Sequence, residues 1–226
     1  MRSLIAHAPW LIAELHGVLV RLTREAPYGV SDDLRDAIST WRVVGIPKRD
    51  PSESRPIAIA SFVLCAWQKT ILDALPPAPD GQWCEIGVLP ATAFFIAWGD
   101  EQLAAGAELD LAKAYDSVLH EPAAAALRHA GTPEEVVAWL CLAWAAKRVC
   151  HVDGALAEPI WPSSGILPGD PTSGRVLSVL LRPWHSPMKQ QDVHPAAYAD
   201  DRSIKAVGAT CDEAAAKIED ALRTTA

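Results

Sequence analysis

Three carboxylates stand where chemistry could be done. Asp110 closes the run Ala107-Glu108-Leu109, and Asp200-Asp201 interrupt two short apolar runs between Pro195 and Val207. A lone Asp-Asp pair is most often a solvated turn. Several acids gathered at strand ends are another matter, because like charges repel and a fold that collects them pairs them with cations. Magnesium, a hard ion that prefers oxygen ligands, suits such a set. Two such ions about 4 Å apart can activate an attacking oxygen and stabilise a leaving one in phosphoryl transfer.

A complementary charge lies upstream. Between Arg42 and Lys69 the bases are Arg42, Lys48, Arg49, Arg55 and Lys69, and the acids are Asp50 and Glu53. Five minus two gives a local +3 in a chain whose formal net charge is −8. Arg offers phosphate a planar fork and Lys a point charge, so this stretch suits a phosphate-rich ligand. The overall −8, taken alone, argues the other way, against a dedicated nucleic-acid binder.

Elements must hold these residues in place. Leu11, Leu15, Val18 and Leu22 recur at helical spacing, and Ser31 caps a second short helix, so the chain up to about Thr40 reads as two helices. Val43 to Ile46 and Ile57 to Ile59 read as two strands around the Arg49-Asp50-Pro51-Ser52 turn. Ser61 to Leu75 is helical until Pro76-Pro77 stops it. Ala107 to Asp110 is a strand ending in a carboxylate, followed by a helix with Pro122 near its first turn. Thr132-Pro133-Glu134-Glu135 predicts a threonine-capped helix, and Thr210 with Glu213 a second capping box. Asp153-Gly154 marks a hairpin, Gly165 to Gly174 a loop, and Asp200-Asp201 the turn of a second hairpin. The pattern is α+β with an antiparallel sheet at its centre.

The motifs resemble one family. Asp110-Leu-Ala-Lys113-Ala-Tyr115-Asp116-Ser-Val-Leu-His120 resembles the first palm motif of reverse transcriptases, in the form of non-LTR retrotransposon and group II intron enzymes. Tyr198-Ala-Asp-Asp201 resembles the Tyr-x-Asp-Asp hairpin, and Gly165 to Ser173 the palm motif that lies between them. Ile46-Pro47-Lys48, Arg55-Pro56-Ile57 and Lys69 resemble the fingers. The order is the family's, over about residues 41 to 207.

The resemblance implies roles. Asp110, Asp200 and Asp201 would be catalytic and would hold two Mg2+ ions, with Mn2+ the alternative and the Leu111 carbonyl a further metal ligand. Tyr115 would lie under the incoming sugar and exclude a 2′-hydroxyl. Lys48 and Arg55 would contact triphosphate or template, while Gly169 and Ser173 would shape the loop against the nucleotide. Asp116 and His120 would orient the palm helix, and Asp170 would serve as a turn or cap residue. The implied fold is a polymerase-type palm, an antiparallel sheet backed by helices, with a partial fingers subdomain. Residues 1–106 would be N-terminal helices and fingers, and residues 107–226 the palm. The implied reaction adds deoxynucleotides to a primer 3′-hydroxyl on an RNA template. The partners would be RNA template, DNA primer and deoxynucleoside triphosphates.

Two departures set this chain apart. Pro168 stands where the family has Gln, and Gly174 where it has Pro. The chain runs 25 residues past Asp201, so the thumb is expected from a longer chain or a partner. The alternative reading is a catalytically inactive nucleic-acid-binding remnant of a truncated retroelement polymerase.

Composition bounds the rest. Of 226 residues, 50% are hydrophobic and 21% charged, which excludes disorder and collagen-like structure. Five cysteines without a C-x-x-C argue against a disulfide framework or zinc site and for a reducing compartment. The apolar stretch Leu4 to Val20 contains His7, Pro9, Glu14 and His16 and reads as an amphipathic helix, so an intracellular protein without membrane contact is expected. Trp67, Trp139 and Trp144 sit among aliphatics at helical spacing and read as core; Trp41 and Trp161 are expected at the rim.

Overall fold

Two hairpins of different kinds organise the computed structural model, which describes residues 40–48, 50, 54–78, 104–152, 154–188, 192–198 and 200–225, with single positions at 14, 17 and 36. The two helices expected before Thr40 lie almost wholly outside the described residues. Strands β1 (Trp41–Pro47) and β2 (Ser54–Ile59) pair antiparallel from Arg42↔Ile59 to Pro47↔Ser54. Ser61 then caps α1 (Phe62–Ile71) by accepting a bond from the Leu64 amide at 3.2 Å. Leu64, Trp67, Gln68 and Ile71 form its buried stripe at helical spacing. A 3-10 turn at Leu72–Ala74 ends it before the prolines.

Strand β3 (Ala104–Leu109) leads to the turn carrying Tyr115 and then to α2 (His120–His129) and α3 (Glu134–Ala145). The expected threonine cap on α3 does not form. Pro133 is the N-cap, its backbone extended at φ −57° and ψ 141°. Its carbonyl accepts from Val136 and Val137, while the Thr132 hydroxyl is buried without a hydrogen-bond partner. The helix starts one residue later than the pattern implied: proline fixes φ near −60° but leaves ψ free, and Pro133 takes the extended ψ of a cap rather than the helical ψ of a first-turn residue.

Strands β4 (Arg148–Val152) and β5 (Ala155–Leu156) follow, with Gly154 at φ +83° in their turn. Strand β4 pairs parallel with β1, Trp41↔Arg148 to Val44↔His151. The four-stranded sheet β2-β1-β4-β5 is therefore mixed. After the 165–174 loop come α4 (Ser173–Leu180) and α5 (Arg182–Met188). Strands β6 (His194–Tyr198) and β7 (Asp201–Val207) form the second long hairpin. Strand β3 joins it to give the antiparallel order β3-β7-β6, backed by α6 (Cys211–Thr225). The Thr210–Glu213 box forms: the Glu213 amide donates to Thr210 Oγ1 at 3.1 Å and the Glu213 carboxylate accepts from the Ala209 amide at 2.9 Å.

Two apolar clusters hold these layers. The larger joins Trp41, Leu64, Trp67, Leu127, Trp139, Leu140, Trp144, Ile166 and Val176. Trp67 and Trp139 meet edge to face with centroids 4.3 Å apart. Trp41, expected at the rim, is fully buried, and its indole N–H donates to the Ala143 carbonyl at 3.2 Å. The parallel β1–β4 pairing covers it, and no local sequence signal announces that pairing. Trp161 is 68% exposed, as expected. The smaller cluster, Met188, Val193, Ile204, Ala206, Ile218 and Ala221, lies between β7 and the α5 and α6 helices. The fold is α+β. Among the described residues, no helix is long and apolar enough to cross a membrane.

Candidate active site

Register decides which carboxylates meet. Leu109 faces Arg202 and Glu108 faces Ser203, so Asp110 leaves β3 beside Asp201 at the start of β7. Tyr198 pairs with Asp201 across the β6–β7 turn, and Asp200 sits within that turn. Side chains alternate across a strand. Ile204 and Ala206 therefore enter the smaller core, and Asp201 and Ser203 point to the opposite face, with Glu108 opposite Ser203. Two separate stretches of sequence thus deliver Asp110 and the Asp200-Asp201 pair to one end of one sheet.

Electrostatics record the crowding. The Asp201 carboxyl is held above its ordinary pKa, first by partial burial and then by Asp200, Asp110 and Glu108; Arg55 pulls it back. Arg55 reaches this end because Ile46 and Arg55 pair near the tip of the β1–β2 hairpin. Glu108 is a fourth acid that motif reading missed. Its signal was present in the sequence, since period-two alternation puts residue 108 on the face of residue 110. Arg202 faces the other way, with its guanidinium carbon 5.0 Å from the Trp184 ring centroid.

The hard carboxylate donors and their mutual repulsion fit a divalent cation. As placed, however, no group of three or more Asp, Glu, His or Cys side chains among the described residues is close enough together to hold a metal ion. The Leu111 carbonyl accepts a bond from the Ala114 amide at 3.2 Å within the same turn. Lys113 in that turn adopts φ +52°, a left-handed conformation unusual for a residue with a side chain.

A cavity of about 650 Å³ is lined by Lys69, Leu72, Tyr115, Pro168, Gly169, Asp170, Pro171, Ser173 and Gly174. It brings together Tyr115, Gly169 and Ser173 among the expected substrate residues, but neither Lys48 nor Arg55 lines it. Lys48 is exposed just beyond β1. Ser173 is 2% exposed, and its hydroxyl has no hydrogen-bond partner.

The loop behind the cavity is tightly built. The Ile166 amide donates to the Tyr115 carbonyl at 2.9 Å, and the Gly165 amide to the Val118 carbonyl at 2.7 Å. The Gly165 carbonyl meets His120 Nε2 and accepts from Arg148, both at 3.0 Å. Gly169 adopts φ +106°, and a Cβ there would stand 2.4 Å from the Ala58 carbonyl oxygen. Asp170 accepts from Thr172 N and Thr172 Oγ1, each at 2.7 Å, as a turn residue should. It also accepts from Gln68 Nε2 on α1 at 2.8 Å, a contact across 102 residues that sequence reading did not foresee. Burial pushes the Asp170 carboxyl up to about 6 against the pull of these donors.

The chain matches the family described as "Reverse transcriptase (RNA-dependent DNA polymerase)" over residues 46–225. No curated protein matches it. Among solved structures, it is similar to apo telomerase from Candida tropicalis truncated from the C-terminal domain, with TM-score 0.55 and 12% identity over 82% of this chain and 46% of that one. A second structure of apo telomerase from Candida tropicalis gives TM-score 0.56 and 11% identity over 95% and 45%. Telomerase from Candida albicans, in complex with a TWJ fragment of telomeric RNA, gives TM-score 0.57 and 10% identity over 86% and 40%. At such identities the likeness is one of fold. The chain spans less than half the length of each of these structures.

Proposed function

The chain belongs to the reverse transcriptase family, and on that premise we propose that it carries the fingers and palm of an enzyme that adds deoxynucleotides to a primer 3′-hydroxyl on an RNA template. One observation carries the reading. The β3–β7 register and the β6–β7 turn gather Asp110, Asp200 and Asp201 at one sheet end, with Arg55 as the opposing charge. Residues 1–106 are assigned to the fingers side and residues 107–226 to the palm. Lys113, Asp116 and His120 support a place among non-LTR retrotransposon and group II intron enzymes.

In this reading Asp110, Asp200 and Asp201, with the Leu111 carbonyl, would hold two Mg2+ ions. Such ions would supply positive charge for the attacking oxygen and the departing pyrophosphate. The chain's own groups do the positioning. Arg55 and Lys48 hold phosphate oxygens as fork and point charge. The Tyr115 ring stands against the sugar and leaves no room for a 2′-hydroxyl. Gly169 lets the loop backbone approach, and Ser173 begins the helix that closes the cavity. Catalysis of this kind is mostly alignment and charge stabilisation.

The test is primer extension on an RNA template with magnesium, comparing the wild type with Asp110→Asn and Asp200→Asn. The expected result is incorporation by the wild type and at least a hundredfold loss in each variant, about the scale of one removed electrostatic group. Equal incorporation in all three would refute the carboxylate assignment. A second reading, nucleic-acid binding without extension, is favoured by Pro168, which offers the nucleotide no side-chain hydrogen bond. Retained binding of primer-template with no incorporation by the wild type would select it.

A further inference from the structure

Gln68 is fully buried on α1, and its carboxamide is only half used. Nε2 donates to Asp170 Oδ2 at 2.8 Å, while Oε1 has no hydrogen-bond partner. A buried polar group left half satisfied is a net burden on stability. An apolar residue of similar volume would remove that burden but leave the buried Asp170 Oδ2 without its donor. The use of Gln68 is therefore to be sought in its single partner.

Asp170 belongs to the loop that walls the cavity beside Tyr115. Three contacts tie this loop to the β2–α1 region. The Ala58 amide donates to the Pro168 carbonyl at 2.8 Å. Gly169 packs against the Ala58 carbonyl with no room for a Cβ. Gln68 holds the Asp170 carboxylate, the one contact of the three made by side chains on both sides. On its other flank the loop is tied to the Tyr115 turn through Ile166. The residue after Gln68 is Lys69, which lines the same cavity.

We propose that Gln68 and Asp170 are positioning residues that set the loop wall of the cavity against Tyr115 and Lys69, and so set how tightly that cavity holds a deoxynucleoside triphosphate. The inference rests on the reading of this cavity as the nucleotide site. Neither residue touches the reacting atoms. Pro168 has no side-chain donor of its own, so on the α1 side the side-chain contribution to holding the loop comes from the Gln68–Asp170 bond.

The test uses the full chain with primer and RNA template. Gln68→Met keeps the volume and removes only the hydrogen bond. The paired change Gln68→Glu with Asp170→Asn reverses donor and acceptor and restores the bond. In Gln68→Met the nucleotide KM is expected to rise about tenfold with kcat within about threefold, since a wall that touches the nucleotide away from the reacting atoms contributes binding shared by ground and transition state. The reciprocal pair is expected to bring KM back to within about threefold of the wild type. Hydrogen exchange at residues 165–173 is expected to quicken in Gln68→Met and not in the β6–β7 hairpin. A residue that merely holds up the fold would lower the active fraction, and so kcat, at constant KM. Wild-type extension with an unchanged KM in Gln68→Met overturns the inference alone. A wild type that incorporates no nucleotide overturns the functional reading and the inference with it.

Discussion

The 165–174 loop and the tip of the β6–β7 hairpin each carry a carboxylate that holds its proton more tightly than usual. In the loop, Asp170 is 5% exposed and receives three hydrogen bonds, and burial is the main cause of its shift. At the tip, Asp201 is exposed, and after partial burial the causes are other acids, Asp200, Asp110 and Glu108. The loop acid has its partners inside the protein. The tip acids raise one another, and within the chain Arg55 opposes them. Burial leads both shifts, and what comes second differs: hydrogen-bond donors that pull Asp170 down, and neighbouring acids that push Asp201 further up.

The sharpest way to break this contrast is to disturb the loop. Gly169→Ala must put a Cβ 2.4 Å from the Ala58 carbonyl at φ +106°. Strain and clash together should remove about 4 kcal/mol, read from the urea midpoint. Asp170→Ala leaves the Gln68 amide and the Thr172 donors unpaired and buried. A loss of about 3 kcal/mol is expected in the same measurement. If either substitution is as mild as a surface change, the loop is not the rigid partner in the comparison.

The pH dependence tests the same acid. The folded Asp170 carboxyl titrates at about 6, whereas an unfolded aspartate titrates near about 3.9. The native state therefore binds more proton between these values. Its contribution to stability is full below about pH 4 and is lost as pH rises through about 6. The span is on the order of 2 to 3 kcal/mol by linkage. It should appear as the difference between wild type and Asp170→Asn, whose neutral amide does not titrate. Smallest of all is Asp201→Asn at the tip. Stability should move by no more than about 0.5 kcal/mol, as for a surface change, because the substitution removes repulsion rather than a bond. A large loss there would mean that the tip acids are structural after all.

What sequence revealed divides along similar lines. The hairpin tip was legible because Asp200-Asp201 break two apolar runs, and because the alternation in Ile204 and Ala206 fixes the opposite face. Glu108 is legible by the same alternation, which puts it on the face of Asp110. The β1–β4 pairing was not legible, since hydrophobic runs do not say which distant strand they meet, and Trp41 was placed at the rim for that reason. Gln68 was hidden differently. A glutamine on an amphipathic helix reads as its wet side, and only the approach of Asp170 from 102 residues away shows otherwise. Thr132 carried a strong cap signature, but the extended Pro133 took its place.

The parallel pairing of β1 with β4 also sets a schedule. Trp41 and its partner Arg148 are 107 residues apart in the chain. A ribosome adding about 5–20 residues per second would deliver the second strand on the order of 5 to 20 s after the first. Through that interval β1 has β2 to pair with but not β4, and the Trp41 indole lacks the Ala143 carbonyl to which it donates. A single hairpin is marginal in water, and an open edge invites pairing with other chains. A nascent chain in that window would present the β1 edge that β4 later pairs with.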